Sequence, residues 1–480
     1  MSPSSGANKF LLPIMSQEVV PFMAKLGDEL ESGGYDVEYI PQNEELTLRD
    51  CKRTFGPDVL FLDHIEAQPQ SSFEGLLEKY GIESPRSLVF PQMVYDYAYT
   101  SVEHDTFVTG AREVDYKPYL NLLHQALCSI DTLFENGNGG IPIQRQGGEV
   151  LRRVLQRVAD THGVKSVWVG FSPVQDHCGI YGGENVEWES FSSSFEVEMD
   201  EDDEQRAREY IRKFRDERRV LGKGESQSSV SIGRVFSRTL GQIKRLAAPA
   251  TERRRKKVHR WAKARGRRFE KKFRHEIATR RYATKRSPSI DLEKRRYVFF
   301  PLQYFRESRV TVRGSEYYDI GWVVEFVSRN LPVDCELIVK DHPKQSGTLP
   351  LDTLRGINHH ATILHPSINA HEVIRKAEAI ITINNTVGFE AAMHGKPVVV
   401  LGSAFYDGTD ATWDIDDVSE VPDTVRRAVR ANDLSEEQVV RFAHRTLSGS
   451  SPGIWNNLDD ENIEDICLSI IRYIWNEDEM

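Results

Sequence analysis

The stretch ITINNTVGFEAAMHGKPVVVLGSAFYDG, Ile381–Gly408, decides the fold that we predict for this chain. It contains an apolar run, a polar loop, a short segment of helix-forming residues and a second apolar run. This order is typical of two buried parallel strands joined by a helix. The polar loop Asn384–Thr386 stands where the first strand ends, and ligands of open parallel sheets bind beyond the carboxyl ends of strands. We therefore predict a binding site around this loop.

Alternation of strand-like and helix-like segments occupies two separate parts of the chain. The first series runs from Phe10 to about Val174. The segment SLVFPQ, from Ser87, is a further unit of the alternating pattern. The stretch Asn136–Gly148 is interpreted as a glycine-rich loop. The second series begins at RRYVFFPLQ, from Arg295. The pattern predicts an α/β protein with two Rossmann-like lobes facing a cleft, a charged helical insertion and a C-terminal helical tail.

At 480 residues the chain is long enough for more than one core, since a domain has on the order of 150 residues. The second lobe would bind the substrate that donates a group, and the first lobe would bind the substrate that accepts it. The predicted regions are an N-terminal lobe over 1–180, a charged insertion over 181–290, a C-terminal lobe over 291–430 and a helical tail over 431–480.

The formal net charge of −11 hides a basic segment, Glu252–Arg286. It holds 17 Lys and Arg against three Glu, which leaves about −25 on the rest of the chain. The segment is either a solvated helical face or a surface that docks on anionic lipid or glycan, and the interleaved aromatic residues favour an anionic membrane surface. The acidic remainder argues against nucleic acid as a partner.

The longest apolar runs are strand-sized and fall short of the ~20 residues that a membrane-spanning helix needs. The N-terminal residues lack the charged start and long apolar region of a secretory signal, so we expect a cytoplasmic protein, with peripheral contact at the inner face of the membrane as a further expectation. Five cysteines are scattered singly, which favours buried thiols over a zinc site or disulfides.

Each strand of the second series ends in polar residues that can bind a ligand. Thr386 and the following amides could hold the phosphate of a leaving group, with His342 as a further donor. Glu390 is better suited to ribose hydroxyls, because a carboxylate repels phosphate. Two alternatives stay open, an N-cap cluster for the Asn-Asn-Thr loop and a solvated helix position for Glu390. The candidate donor-binding residues are Gln303, His342, Pro343, Asn385, Thr386, Gly388 and Glu390.

If this site transfers a group to a hydroxyl, a carboxylate near the reacting carbon would accept the proton of that hydroxyl. Asp63 and Asp176 stand at strand ends of the first lobe, and Glu307 follows the first strand of the second lobe. For both aspartates a structural role is the competing interpretation. No D-x-D pair stands at the strand ends of the donor site, so we predict no metal and no cofactor.

The segments YVFFPLQYFRESRV, ELIVKDHP and TINNTVGFEAAMHGKPVVVLG, in this order, resemble the capsule polysaccharide biosynthesis and export family, which includes Kdo (keto-deoxy-octulosonate) transferases. The resemblance covers about Arg295–Thr412. It implies a glycosyltransferase-B-like fold and an acidic sugar carried by cytidine monophosphate. It also implies that His342, Asn385 and Thr386 contact the donor phosphate. Glu307 stands where the family commonly has Asp, and Asn385 where Ser is usual.

We therefore expect a glycosyltransferase of capsule or other cell-surface polysaccharide synthesis that uses a nucleotide sugar and a glycan or glycolipid acceptor. Other enzymes of the same fold, such as a glycerophosphotransferase or a sugar-nucleotide epimerase, remain alternatives. A third alternative is a non-catalytic capsule assembly or export factor.

Overall fold

A computed structural model describes most of the chain, and all structural statements below concern those residues. Asp63, Pro343 and nearly all of the basic segment Glu252–Arg286 lie outside them. The described residues are 8–41, 51, 53–55, 72–100, 115–184, 188–191, 198–217, 283–284, 292, 294–305, 307–342, 349, 351–364, 368–431 and 433–475.

The first lobe is built around a largely parallel sheet. Its chain-order strands are β1 (Lys9–Ile14), β2 (Asp36–Pro41), β3 (Ile141–Arg145), β4 (Val167–Phe171) and β5 (His177–Tyr181). In space these five strands have the order β2-β1-β3-β4-β5, and among the five β5 alone runs antiparallel to its neighbour, β4. The sheet is accompanied by the helices α1 (Val20–Ser32), α2 (Phe73–Lys79), α3 (Pro85–Thr100), α4 (Lys117–Glu135) and α5 (Val150–Thr161).

The second lobe contains a seven-stranded sheet whose paired strands are all parallel. In space its order is β12-β11-β10-β7-β8-β9-β6. The strands are β6 (Ala283–Thr284), β7 (Tyr297–Pro301), β8 (Glu336–Lys340), β9 (Thr362–Leu364), β10 (Ala379–Thr382), β11 (Val398–Val400) and β12 (Thr412–Asp414). Its helices are α7 (Ser308–Thr311), α8 (Ile320–Arg329), α9 (Leu351–His360), α10 (Ala370–Ile374), α11 (Thr386–Met393) and α12 (Val421–Arg430), and the preceding helix, α6 (Glu201–Glu217), packs on this lobe.

Both sheets bury both faces, which is why their strands are almost continuously apolar. In β1, Phe10 belongs to one apolar cluster and Leu11 to the cluster on the opposite face. In β7, Val298 and Phe299 divide between two clusters in the same way. The predicted class, an α/β protein with two Rossmann-like lobes, is confirmed.

Two segments of the first lobe differ from the predicted pattern. SLVFPQ, from Ser87, lies inside α3 and not in a strand, because a short apolar run has no period that separates a strand from a helix. The glycine-rich stretch Asn136–Gly148 contains the central strand β3. Glycine fits here because a Cβ on Gly140 would lie 2.6 Å from the carbonyl oxygen of Lys9 in β1.

The chain returns to the first lobe after the second is complete. The helix Glu436–Ser448 packs against the second lobe, and strand β13 (Ser450–Pro452) then pairs antiparallel with β5. The last described helix, Asp460–Trp475, buries Ile466 and Ile470 in the core of the first lobe. The C-terminal segment therefore ties the two lobes together.

Aromatic side chains fill much of the contact between the lobes. Phe171 of the first lobe lies 5.9 Å from Phe405 of the second, measured between ring centroids. Phe90 of α3 meets Tyr318 edge to face at 5.0 Å. Such contacts fix the relative position of the lobes next to the cleft.

All five cysteines are described, and each is a buried thiol outside any disulfide, as predicted. Among the described helices, none combines the length and the apolar character needed to cross a bilayer.

Candidate functional site between the lobes

A cavity of about 400 Å³ lies between the two lobes. It is formed by the carboxyl ends of β3 and β4, the start of β5 and the turn that follows β7. This is the edge at which open α/β sheets bind ligands. Its polar and charged lining consists of Arg145, Gln146, Ser172, His177, Glu307, Ser308 and Arg309, and it also includes Gly170, Phe171, Cys178, Ile454 and Trp455.

Glu307 is the predicted catalytic residue that the structure brings into this cavity. It precedes α7 in an extended conformation, and its carbonyl oxygen accepts the amides of Val310 and Thr311 at 3.0 and 3.1 Å. The backbone is thus fixed by the helix start. The half-buried carboxylate can reach a ligand that enters between the lobes.

Asp176 has a different position. It is exposed in the turn between β4 and β5, with a φ of 58°, and its carbonyl oxygen accepts the amide of Gly453 at 3.0 Å. Asp tolerates this left-handed conformation better than most residues, which accounts for its place in the turn. Its neighbour His177, and not Asp176, lines the cavity.

Asn384, the first residue of the loop after β10, faces the interior of the lobe. Its side-chain nitrogen donates to the carbonyl oxygens of Arg309 at 2.6 Å and Arg313 at 3.2 Å. Its side-chain oxygen lies 2.5 Å from the side-chain amide group of Gln303. Asn384 and Gln303 are both about 5% exposed, so they act within the wall of the site.

Asn385 is the N-cap of α11, which is one of the two interpretations left open by the sequence. Its side-chain oxygen accepts the amide of Val387 at 3.1 Å, and its carbonyl oxygen accepts the amide of Gly388 at 2.9 Å. Thr386 begins the helix and donates to the side-chain oxygen of Asn385 at 3.4 Å. Two of the amides proposed for a phosphate cradle are therefore bonded within the loop.

Gly388 is required by a neighbouring ring. A Cβ at this position would lie 2.2 Å from the hydroxyl oxygen and 2.8 Å from Cζ of Tyr406. The hydroxyl of Tyr406 in turn donates to the carbonyl oxygen of Asn385 at 2.5 Å. The close approach permitted by Gly388 is thus made to Tyr406, which supports the loop from behind.

Glu390 lies within α11 and is fully buried, so the alternative of a solvated helix position does not hold. Its carboxylate lies 3.8 Å from Nε2 of His371, whose side chain is also fully buried. Nδ1 of His371 lies 2.8 Å from Nε2 of His394. In this arrangement Glu390 belongs to a polar cluster inside the lobe.

His342 follows β8 and stacks on Tyr304, which follows β7, with ring centroids 5.7 Å apart. Gln303, next to Tyr304, bonds Asn384 after β10. The ends of β10, β7 and β8 therefore meet, and these three strands are neighbours in the sheet. From β7 the chain continues to β8 and β9 on one side and then crosses to β10, β11 and β12 on the other, which makes this edge a topological switch point.

Sequence reasoning missed Arg309 and Arg313. Arg309 lines the cavity and places its guanidinium 5.4 Å from the ring centre of Phe171 in the first lobe. Arg313 is 7% exposed, and burial together with the nearby Arg309 lowers the pKa of its guanidinium to about 10. The two arginines stand four positions apart in ESRVTVR, directly after the strand-end residue Glu307, and this spacing was the available signal. Among the described residues, no group of three or more His, Cys, Asp or Glu side chains has the arrangement of a metal site.

A family model described as "Capsule polysaccharide biosynthesis protein" matches residues 250–443. The predicted family resemblance is confirmed. The match includes Glu307 in the cavity and the whole Asn-Asn-Thr loop. The match accounts for less than half of the chain and covers mainly the second lobe.

Two curated proteins share this similarity. The chain is 31% identical over 129 residues to the capsule polysaccharide export protein KpsS of Escherichia coli, covering 25% of this chain and 33% of that protein. It is 30% identical over 122 residues to the capsule polysaccharide modification protein LipB of Neisseria meningitidis serogroup A, covering 23% and 29%. The matched region thus spans about a third of the length of these relatives.

Solved structures align over more of the chain at low identity. KpsC of Thermosulfurimonas dismutans, titled a beta Kdo 2,4 transferase, aligns with 70% of this chain and 88% of its own at 13% identity and a TM-score of 0.37. The glycosyltransferase SnogD of Streptomyces nogalater aligns with 98% and 100% at 10% identity and a TM-score of 0.27. The fold assignment rests on the two sheets described above.

Proposed function

We propose that the chain is a glycosyltransferase of capsule or other cell-surface polysaccharide synthesis. It would transfer a sugar from a nucleotide-activated donor to a glycan or glycolipid acceptor. The first candidate for this sugar is an acidic, Kdo-like one. The observation that carries this proposal is the interlobe cavity, which combines the carboxylate of Glu307 with the cations Arg145 and Arg309 at the carboxyl edges of both sheets.

In the proposed reaction, an acceptor hydroxyl enters between the lobes and Glu307 takes its proton as the new bond to the anomeric carbon forms. The bond from that carbon to the donor phosphate breaks at the same time, and the leaving phosphate takes the electron pair. Positive charge in the cavity stabilises this growing negative charge. The step needs no metal and no cofactor.

The donor would lie on the second lobe, near the loop after β10 and His342. The family similarity covers this loop, and the predicted contacts of His342, Asn385 and Thr386 with the donor phosphate remain proposals. Asn385 already caps α11, so its part in donor binding would be to fix the helix start whose dipole favours an anion. The basic segment Glu252–Arg286 is a proposed contact with an anionic membrane surface.

A donor screen tests the proposal. The purified chain is incubated with CMP-, UDP- and GDP-activated sugars and a capsule-type oligosaccharide acceptor, and release of the nucleotide and growth of the acceptor are followed. We expect acceptor-dependent release from one donor class, with CMP-activated acidic sugars as the first choice. Nucleotide binding without release from any donor would contradict the proposal and support a non-catalytic assembly or export factor, the kind of role printed in the name of KpsS.

A further inference from the structure

Two arginines stand side by side in the wall of the interlobe cavity. Arg309 lines the cavity of about 400 Å³, and it also lines a smaller inner pocket of about 10 Å³ together with Arg313. The two spaces share Gln146, Phe171 and Arg309, so the inner pocket opens beside the larger one. Its volume admits about one water-sized atom.

In the described part of the chain neither arginine is held in an ion pair, although Glu184 and Glu307 lie near enough to favour the charged form of Arg313. Among the described residues, no carboxylate forms an ion pair with Arg309 or Arg313; Arg309 faces the ring of Phe171, and Arg313 donates to the carbonyl oxygen of Glu184 at 3.4 Å. The carboxylate of Glu184 is taken by Arg153 at 2.8 Å. A buried charge without a partner is costly, so such a charge is retained where a ligand supplies the opposite charge.

Arg313 gives the second sign of a ligand site. Its side chain is 93% buried, and in the described part of the chain its Nε has no hydrogen-bond partner. The nearby Arg309 also repels it, which with burial lowers the pKa of Arg313. An oxyanion between the two guanidinium groups would remove the repulsion and satisfy the open donors.

We propose that Arg309 and Arg313, with Arg145 across the cavity, form an oxyanion subsite for the substrate of this enzyme. One oxygen of a phosphate or carboxylate group enters the inner pocket, and the rest of the group stays in the cavity. The inference rests on the proposed function, because it states that the anionic group of the substrate binds at these arginines. The phosphate of the nucleotide and the carboxylate of an acidic sugar are its two possible sources.

Asn384 positions this subsite. It bonds the carbonyl oxygens of both arginines, and the amide of Ser403 donates to the carbonyl oxygen of Arg313 at 3.0 Å. The turn that carries the arginines is therefore fastened to the loop after β10. Anion binding and the donor loop are coupled through these bonds.

Calorimetric titration with paired probes tests the subsite. CMP is compared with cytidine, and 3-deoxy-octulosonate with its neutral methyl ester. We expect Arg309→Met, which keeps the packing on Phe171, to weaken the anionic member of one pair at least 10-fold while the neutral member changes less than twofold. The pair that responds identifies phosphate or carboxylate as the bound group. Because binding is electrostatic, salt should weaken the wild type more than the variant.

Arg206→Met, at a position where the side chain is 71% exposed, is the matched control and should bind every probe as the wild type does. Arg313→Met is the second variant, and circular dichroism verifies that each variant is folded. The inference is overturned if both Arg309→Met and Arg313→Met bind the anionic probes within twofold of the wild type, or if the wild type binds none of them.

The two proposals fail in different ways. If the wild type transfers no sugar but Arg309→Met still loses anion binding, the subsite stands and the transferase proposal falls. If sugar transfer proceeds and both variants keep their affinity for the anionic probes, the transferase stands and the subsite falls.

Discussion

The side-chain amide nitrogen of Asn384 lies 2.6 Å from the carbonyl oxygen of Arg309, although the two residues are 75 positions apart in the chain. This hydrogen bond joins the loop after β10 to the turn after β7. Glu307 and Arg309 of that turn line the interlobe cavity. The geometry of the cavity wall thus depends on Asn384, which lines only the smaller inner pocket beside the cavity.

Asn384→Ala should loosen the segment 308–313, which carries the two arginines. The carbonyl oxygen of Arg309 loses this donor and that of Arg313 keeps only the amide of Ser403, which costs about 1–3 kcal/mol of unfolding free energy. We expect anion affinity to fall about 10-fold as well, because the guanidinium groups are no longer held in place. Asn330→Ala is the matched control, since Asn330 also donates to a carbonyl oxygen, that of Phe326 at 2.7 Å, but outside the cavity. Equal anion affinity in both variants would refute the positioning role.

Glu307→Gln should abolish sugar transfer. The amide keeps the size of the side chain but cannot accept the proton of the acceptor hydroxyl, and loss of a general base lowers the rate by a factor of about 10²–10⁴. Substrate affinity should change little. The measurement is kcat and KM with the donor identified by the screen. Glu209→Gln, at an exposed position on the helix Glu201–Glu217, serves as control, and wild-type turnover in Glu307→Gln would exclude Glu307 as the base.

Gly388→Ala should destabilise the second lobe. The new Cβ would stand 2.2 Å from the hydroxyl oxygen of the fully buried Tyr406, so one of the two must move, and such overpacking costs about 1–3 kcal/mol. Gly356→Ala is the matched control, because Gly356 also lies inside a helix but its Cβ would meet open space. That control should gain up to about 1 kcal/mol. Chemical unfolding of both variants distinguishes a packing role of Gly388 from one limited to ligand approach.

Arg313→Met should raise the melting temperature of the ligand-free protein while it removes anion binding. Folding lowers the pKa of Arg313 to about 10. The charged guanidinium therefore reduces the free energy of unfolding at every pH below 10. An apolar side chain of similar length removes this penalty, worth on the order of 1 kcal/mol. Thermal unfolding at pH 7 without ligand measures the effect. A clear fall in melting temperature would mean that Arg313 serves the fold and not a ligand.

The sequence predicted much of the second lobe because its signals are local. The apolar runs gave β7, β8, β10 and β11, and the polar loop at Asn384 marked the switch point where the strand ends meet. Glu307 was found because it follows a strand of this pattern. The strand β3 was missed, since its Pro142 and the glycines that flank it are typical of a loop; the close approach of Lys9 to Gly140 appears only in the folded sheet.

What the sequence alone determined is the alternation of buried strands and helices, the polar residues at the strand ends and the family resemblance of the second lobe. Only the tertiary structure decided which polar residues face the cavity and which hold its wall. It placed Asn384 beneath the segment 308–313, Tyr406 against Gly388 and Glu390 beside His371. The physical reason is that periodicity and capping are properties of neighbouring residues, whereas these contacts join residues brought together only when the sheet and its helices pack.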